Sequence, residues 1–225
     1  ILVTPLVTIF SGVGLSMLIA APIGAAASQV GTLIMWATEQ APLVMGILVS
    51  VIVGVALTLP ISSAAICAAL GLTGIAGGAA VAGCCAQMIG FAVMSYKENG
   101  VGGLVSQGLG TSMLQMGNIV KNPRIWIAPT LASAITGPLA TCVFHFEMNG
   151  AAVSSGMGTC GLVGQIGVYT GWVSDIAAGT KAAITPVDWA AMVLLCFVLP
   201  AVLSVIFCEI ERKMGWIKEG DLKLN

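Results

Sequence analysis

His145, Glu147 and Asn149 stand at alternate positions of the stretch VFHFEMNG, with Phe146 and Met148 between them. In an extended chain successive side chains point to opposite sides, so the three polar groups would share one side, whereas in a helix they would scatter. A neutral imidazole, a carboxylate and an amide together offer hydrogen-bond donors and acceptors suited to sugar hydroxyls. We therefore take these three residues as candidate ligand-binding groups; the alternative is the solvated end of a helix.

A glycine-rich apolar run, AAVSSGMGTCGLVGQIG, follows directly. Glycine adopts positive φ angles and permits close backbone approach, and a chain that turns sharply inside a membrane requires both. Gly156, Gly158 and Thr159 are expected at the tip of such a turn, where free backbone amides can bind a polar or anionic solute. Gln165 lies in the returning arm, where its side chain either faces a cavity or bonds to a neighbouring helix.

The composition indicates which elements must position these residues. The chain has 58% hydrophobic and 8% charged residues, whereas soluble domains carry about 25% charged residues. Backbone polar groups in a bilayer must be satisfied internally, and the long apolar runs favour helices over a barrel. The chain has room for roughly five to seven crossings of about 20 residues each. We predict an all-α, polytopic membrane protein with broken helices.

The charged residues divide the chain into two parts. Eight charged residues lie within residues 209–225, which we predict to be a charged cytoplasmic tail. Residues 1–208 form the predicted membrane domain, which starts without a Met and is expected to lack an N-terminal part of a longer protein. The net charge is −1 and there is no basic cluster outside the tail, so nucleic acid is not an expected partner.

The residue pattern indicates no cofactor, metal ion or catalytic centre. The seven cysteines lie almost entirely in apolar stretches without CxxC or Cys/His spacing, and we expect them to be thiols that serve packing. The single histidine has no plausible nucleophilic serine to activate. We therefore predict no autonomous catalytic site.

Prolines and polar stretches divide the apolar sequence into segments. A tilted or interfacial helix is predicted from residue 23 to Glu39, and crossings are predicted over residues 1–20, 42–59, 75–95, 125–144 and 189–207. Pro60 and the small residues after it predict a broken helix, which either lines a cavity or packs closely against another helix. The polar residues of the stretch 101–126 either line a path or lie at the surface.

Positive charge predicts the orientation of the chain. Basic residues near the ends of crossings favour the cytoplasmic side, which places the tail, Lys121 and Arg124 inside and His145 and Glu147 outside. Both ends of the stretch 150–172 then lie on the outer side. About 23 residues at 1.5 Å each are too few to cross twice, so we predict a re-entrant hairpin.

Three motifs of this chain resemble a known family of membrane proteins. They are LPISSAAICAALGLTGIAGGAA, NPRIWIAPTLASAITGPLATCVF and GMGTCGLVGQIG. The pattern is similar to the EIIC-like membrane subunits of the bacterial phosphoenolpyruvate-dependent sugar phosphotransferase system (PTS), and within them to the branch of perfringolysin O regulator-like proteins. The resemblance covers most of residues 1–208.

This resemblance implies a usually homodimeric permease of the bacterial inner membrane, whose re-entrant hairpins hold a sugar near the membrane centre. It also implies a His and a Glu that contact the sugar, for which His145 and Glu147 are the candidates, although Met148 follows Glu147 where better understood subunits have Glu-Pro. Phosphate would come from separate IIB and IIA proteins. We expect a subunit that binds and translocates a sugar-like solute; the alternatives are a non-transporting membrane sensor or regulator with the same fold, and a passive channel.

Overall fold

The computed structural model describes residues 3–224, which form ten α-helices joined by short helical turns. The helices are α1 (Val3–Gln40), α2 (Pro42–Thr58), α3 (Ser63–Leu70), α4 (Gly74–Met94), α5 (Tyr96–Val105), α6 (Met116–Lys121), α7 (Ile127–Pro138), α8 (Val163–Ala177), α9 (Pro186–Val193) and α10 (Leu199–Lys213). The described residues contain no β-strand, only an isolated bridge between Gly74 and Met148. The predicted all-α architecture is confirmed.

Three helical stretches of the described residues are long and apolar enough to cross a membrane: Gly74–Met94, Pro123–Val143 and Pro186–Lys213. They coincide with the crossings predicted over residues 75–95, 125–144 and 189–207 and confirm that these stretches are helical. The predicted crossing 42–59 forms the shorter apolar helix α2, which ends at Thr58, just before Pro60, as the proline predicts.

Helix α1 differs from the prediction. Residues 3–40 form one helix that continues through Pro22, whereas the sequence predicts a crossing followed by a separate tilted helix. A proline removes only one amide donor from a helix, and in apolar surroundings the helix remains the conformation that satisfies the other backbone groups. Residues 1 and 2 of the predicted first crossing lie outside the described residues.

Helix α4 lies at the centre of the fold and packs against α2, α7 and α10. Nearly all of its residues are buried, and most of them are small. At Gly83, a methyl group would overlap the carbonyl oxygen of Ser50 on α2. Close approach of this kind is a main source of attraction between helices in lipid. Of the two alternatives for the stretch GIAGGAAVAG, close helix packing is therefore the one that the structure shows.

A buried polar network fixes α4 relative to α2 and α7. The fully buried side chain of Gln87 donates from Nε2 to Thr130 Oγ1 at 3.2 Å and to Ser133 Oγ at 3.5 Å. Its Oε1 accepts from Trp126 Nε1 at 2.9 Å and from Thr58 Oγ1 at 3.3 Å. A fully satisfied network of this kind adds rigidity and sets the register of the helices that contribute to it.

Residues 144–177, which we call the hairpin, run alongside α4 from its first turn towards its other end. Met148 and Gly74 exchange two backbone hydrogen bonds of 2.9 and 3.0 Å at the start of α4. Further along, Thr159 Oγ1 lies 3.6 Å from the sulfur of Met88. Because about 14 helical residues separate Gly74 from Met88, the hairpin descends about 21 Å along α4.

The hairpin then returns to the end where it began. Gly150 on the entering arm packs directly against the backbone of Gly167 on the returning arm. The returning arm is the regular helix α8, whereas the entering arm and tip are extended or coiled into the short 3₁₀ turns Ala152–Gly156 and Cys160–Leu162. The chain thus folds back on itself as predicted; its entry into the membrane stays a prediction.

A second segment folds back from the opposite end of α4. Residues 96–121 leave the end of α4 and bend through a π-helical turn at Ser106–Gly110, and Gln107 Nε2 donates to Ser95 Oγ at 2.8 Å. The two segments meet where Thr159 Oγ1 of the hairpin donates to the carbonyl oxygen of Gly108 at 2.5 Å.

Residues 209–224 lie at the end of the fold where α4 finishes. Residues 209–213 continue α10, and the ring of Trp216 lies 5.5 Å from the Arg124 guanidinium carbon. The tail and Arg124 therefore share one end, as the charge argument requires. The side of the membrane that this end faces stays a prediction.

We expect Gly83→Ala to lower the thermal unfolding midpoint in detergent micelles, because the added methyl group would overlap the Ser50 carbonyl. Overpacking of this kind costs about 1–3 kcal/mol. The matched control is Gly102→Ala on α5, where a methyl group has no atom within 4 Å and helix propensity favours alanine by about 1 kcal/mol. Equal losses in the two variants would contradict the assigned role of the α2–α4 contact.

Candidate functional site

A partly open cavity of about 450 Å³ lies at the end of the fold where the hairpin enters. Its walls come from the extended start of the hairpin, the end of α8, the loop after it and the start of α9. The polar and ionisable residues among those that line it are His145, Glu147, Asn149, Asp175, Thr180, Lys181 and Asp188. The cavity therefore contains the three residues that the alternating sequence pattern indicated.

The entering arm brings these three residues together because it is extended. Phe146 and Met148 are buried with 3% and 0% of their surface exposed, whereas His145 and Glu147 are exposed and Asn149 is half-buried. Of the two conformations considered for this stretch, the structure shows a non-helical one, which follows a left-handed residue at His145 and pairs with Gly74 at Met148. It places the three polar side chains on the cavity side and the two apolar ones in the core.

Backbone contacts on both sides hold the arm in this conformation. On one side lies α4, where a methyl group at Gly78 would overlap the carbonyl oxygen of Phe146. The amide of Phe146 donates to the carbonyl of Ala140 at 2.8 Å, and the bridge between Met148 and Gly74 follows two residues later. The glycines of α4 thus leave room for a polar segment to lie directly against a buried helix.

His145 marks the point where the chain leaves the helix before it. The crossing that contains α7 ends in a π-helical turn, Leu139–Val143, and His145 then has a φ angle of +43°. Few residues other than glycine adopt this left-handed region, and such backbone strain concentrates at binding and catalytic sites. The bend directs the following residues along the cavity.

Asn149 joins two carboxylates across the cavity. Its Nδ2 donates to Glu147 Oε2 at 3.0 Å and to Asp175 Oδ2 at 2.9 Å. The second oxygen of each carboxylate has no hydrogen-bond partner among the described residues. One amide thus holds both carboxylates, and each carboxylate keeps an oxygen that can accept a hydrogen bond from a ligand.

Lys181 is the lysine of this cavity, and its charge is matched within the protein. Its Nζ lies 2.8 Å from Asp188 Oδ1 and 5.5 Å from the ring centroid of Trp172. The other oxygen of Asp188 accepts a hydrogen bond of 2.7 Å from the amide of Thr185 and caps α9. Because Lys181 and Asp188 compensate each other, Glu147 and Asp175 leave the cavity with excess negative charge.

The four deeper residues predicted from the glycine-rich run do not line this cavity. Gly156 and Gly158 pack against the backbones of α3 and α4, and Thr159 is fully buried beside the turn of the second segment. Gln165 Nε2 lies 3.2 Å from the sulfur of Cys85, and its buried Oε1 has no hydrogen-bond partner among the described residues. A ligand-binding role for these four residues stays a prediction.

Sequence reasoning did not assign Trp172, Asp175, Lys181 and Asp188 to the site. A signal was present, because the last three are among only nine charged residues before residue 209 and follow the stretch 150–172, whose ends are predicted to lie on the outer side. Their distance from Glu147 could not be read from the sequence, since about 40 residues separate Glu147 from Asp188. The folding back of the hairpin brings them together.

The structure also bears on metal binding and thiol chemistry. Within residues 3–224, no group of three or more His, Cys, Asp or Glu side chains is arranged to hold a metal ion. The seven cysteines are free thiols, and most of them are buried.

The family comparison covers almost the whole chain. The model of the family described as "Phosphotransferase system, EIIC" matches residues 1–224. The chain belongs to the PTS EIIC family. Neither the comparison with curated proteins nor that with solved structures found a match. Membership of the EIIC family, together with the apolar helices, makes this a permease-like, multi-pass membrane protein. Its place in the perfringolysin O regulator-like branch stays a prediction.

The cavity and the tail should be accessible from opposite sides of the membrane, because they lie at opposite ends of the crossings α4 and α7. A membrane-impermeant maleimide added to intact cells is expected to label Val187→Cys or Lys218→Cys but not both, and inverted vesicles should give the reverse result. Met157→Cys at the hairpin tip should resist labelling from either side. The parent protein measures the background from native thiols; labelling of positions 187 and 218 from the same side would contradict this arrangement.

Proposed function

We propose that this EIIC family member is the membrane subunit of a phosphotransferase-type uptake system that binds a sugar-like solute in the cavity and translocates it. Separate IIA and IIB proteins would supply the phosphate. The observation that carries this proposal is the convergence of His145, Glu147 and Asn149 with Asp175 in a cavity of about 450 Å³, a size typical of sites for small molecules.

The cavity offers the contacts that a hydroxyl-rich solute requires. The free oxygens of Glu147 and Asp175 accept hydrogen bonds from hydroxyl groups, and the imidazole of His145 both donates and accepts. The Asn149 amide holds the two carboxylates in place, and Trp172 contributes an aromatic wall. This lining is more polar than that of most small-molecule sites, as a ligand with many hydroxyl groups requires.

The excess negative charge indicates which solutes this cavity admits. Since Lys181 is paired with Asp188, an anionic ligand would face the carboxylates of Glu147 and Asp175, and the described residues that line the cavity offer no unpaired lysine or arginine to offset them. Like charges at close range in a partly desolvated site repel strongly. We therefore favour an uncharged sugar-like solute over a phosphorylated or acidic one.

Translocation would require the hairpin to move relative to α4. Gly156, Gly158, Thr159 and Gln165 lie along the buried part of the hairpin, and we propose that they line the path once the hairpin is displaced. The contact between Thr159 and Gly108 would have to open during this step. Rigid-body movement of one part of a transporter against another, around a central site, is the usual form of alternating access.

We further propose the cellular setting. The protein would function in the bacterial inner membrane as a homodimer, with residues 209–225 and the end of α4 on the cytoplasmic side. The positive charge of Lys121, Arg124 and the tail supports this orientation. The IIB protein would dock at this end, and the chain itself would provide no catalytic residue.

Ligand binding tests the proposed site. We expect Glu147→Gln and Asp175→Asn each to weaken binding of the transported sugar at least about tenfold, because a hydrogen bond to a charged group contributes about 1.5–3 kcal/mol. Binding is measured by scintillation proximity on purified protein against a panel of sugars. The matched control, Glu219→Gln, removes an exposed carboxylate at the opposite end and should leave affinity unchanged. Unaltered affinity in both folded site variants would show that the carboxylates are structural.

The charge of the cavity is tested with the same panel. An uncharged sugar is expected to compete for binding, whereas its 6-phosphate should compete at least about tenfold less well, because the phosphate meets two uncompensated carboxylates. In the double variant Glu147→Gln/Asp175→Asn this discrimination should largely disappear. Tighter binding of the phosphorylated sugar to the unmodified protein would overturn the proposed selectivity.

Uptake distinguishes transport from the alternative functions. Proteoliposomes with IIA, IIB and a phosphodonor are expected to accumulate the phosphorylated solute with saturable kinetics. Binding without flux under these conditions would instead support a membrane sensor or regulator that keeps the fold. Flux that does not saturate would support a passive channel.

A further inference from the structure

Residues 214–224, which we call the tail segment, are bound at the end of the fold opposite to the cavity in the manner of a peptide ligand. Four side-chain amides from the second folded-back segment and its continuation each donate to a tail carbonyl at 2.8–3.0 Å. The donors are Asn99, Gln115, Asn118 and Asn122. We call this set of donors the amide cradle.

Leu222 anchors the tail segment in the cradle. Its side chain is fully buried in the cluster that contains Phe91, and its carbonyl accepts from both Asn99 and Gln115. Its amide donates to Glu98 Oε2 at 2.8 Å, and the other oxygen of Glu98 pairs with Arg212 at 3.0 Å. The docked tail is thus held by the apolar contact of the Leu222 side chain and by hydrogen bonds to the backbone carbonyl and amide of Leu222.

The cradle accounts for the unusual polarity of residues 101–126. The sequence left open whether these polar residues line a path or lie at the surface. In the structure, Gln115 and Asn118 are occupied by the tail segment, and Gln107, which is also buried, accepts at 2.9 Å from Gln115. The polar residues therefore serve to bind another part of the chain.

A continuous set of contacts leads from the cradle to the hairpin tip. Gln115 Nε2 bonds both to the carbonyl of Leu222 and to Gln107 Oε1. Gln107 belongs to the π-helical turn Ser106–Gly110. The carbonyl oxygen of the next residue, Gly108, accepts a hydrogen bond from the hydroxyl of Thr159. This turn is thus linked to the docked tail through Gln115 and to the hairpin tip through Thr159.

We propose that the tail segment is a latch that controls the hairpin from the opposite end of the molecule. When the latch is docked, the turn at residues 106–110 is held where it binds Thr159; when the latch is released, the turn relaxes and the tip is freed. This inference concerns a contact between two parts of the chain and holds whether or not the cavity binds a sugar. If the proposed transport is correct, the latch regulates it.

Hydrogen–deuterium exchange of the full chain in lipid nanodiscs tests the latch. Leu222→Asp places a charge in the apolar part of the cradle and is expected to release the tail segment. The amides of Cys160, Leu162 and Gly164 at the tip, which are hydrogen-bonded within the hairpin, should then exchange about fivefold faster, which is the factor that corresponds to one hydrogen bond of about 1 kcal/mol. Amides in the middle of α4 should be unchanged.

Thr159→Val makes the test specific for the proposed connection. This variant removes the hydroxyl that binds Gly108 and should itself accelerate exchange at the tip. Adding Leu222→Asp to it should then produce no further acceleration, because residues that act through one contact show non-additive effects. The control Lys218→Ala alters an exposed tail residue outside the cradle and should leave exchange at the tip unchanged.

Two results would overturn the latch. The first is faster exchange of the tail amides with unchanged exchange at the tip, and the second is an additive effect of the two substitutions. If Leu222→Asp also accelerates exchange in α4, the fold is disturbed and Asn99→Ala replaces it, since this change removes two tail contacts without adding a charge. Asn99→Ala must then meet the same expectations for tip exchange and non-additivity, and failure to do so would equally reject the proposal.

Discussion

Direct backbone contact along α4 is the constraint on which the rest of this structure depends. Lipid provides no hydrophobic drive between helices, so elements associate where small residues let their backbones meet. At Gly83 this contact is made with α2, and at Gly78 with the entering arm of the hairpin. The same property lets a segment without regular helical structure lie against a buried helix, which is how the polar residues of the cavity reach their positions.

Polar groups are distributed according to depth along α4. In the middle, Gln87 has every hydrogen-bonding group of its side chain satisfied, as a low-dielectric environment requires. At the tail end, Glu98 is bonded to Arg212 and to the amide of Leu222, whereas the buried carboxylate of Glu211 has no hydrogen-bond partner among the described residues. At the cavity end, Glu147 and Asp175 each keep an unused oxygen. Because this cavity is partly open, the unused oxygens of Glu147 and Asp175 are available to a ligand.

Much of this architecture was predictable because membrane folding imposes simple rules on sequence. The length of the apolar runs predicted the three long helical stretches that contain α4, α7 and α10. Pro60 predicted the end of α2, which finishes at Thr58. Charge parity indicated that the stretch 150–172 starts and finishes on one side, and the chain does fold back there. The sequence did not predict that α1 is a single helix through Pro22. A proline is normally taken as the end of a helix, but in apolar surroundings a helix can continue past it because the other backbone groups must stay hydrogen-bonded.

The candidate site was only partly accessible to such reasoning. The alternation of His145, Glu147 and Asn149 with apolar residues predicted that the three side chains lie together. In an extended chain, residues two positions apart share one side. Whether the chain is extended, however, depends on glycines of α4 that lie about 70 residues away, and the partnership of Asn149 with Asp175 depends on the return of the hairpin. Composition and local spacing therefore establish the class of protein and its most polar surfaces. Contacts between distant segments establish which polar groups are paired and which remain free for a ligand, because pairing is a matter of distance in space and not along the chain.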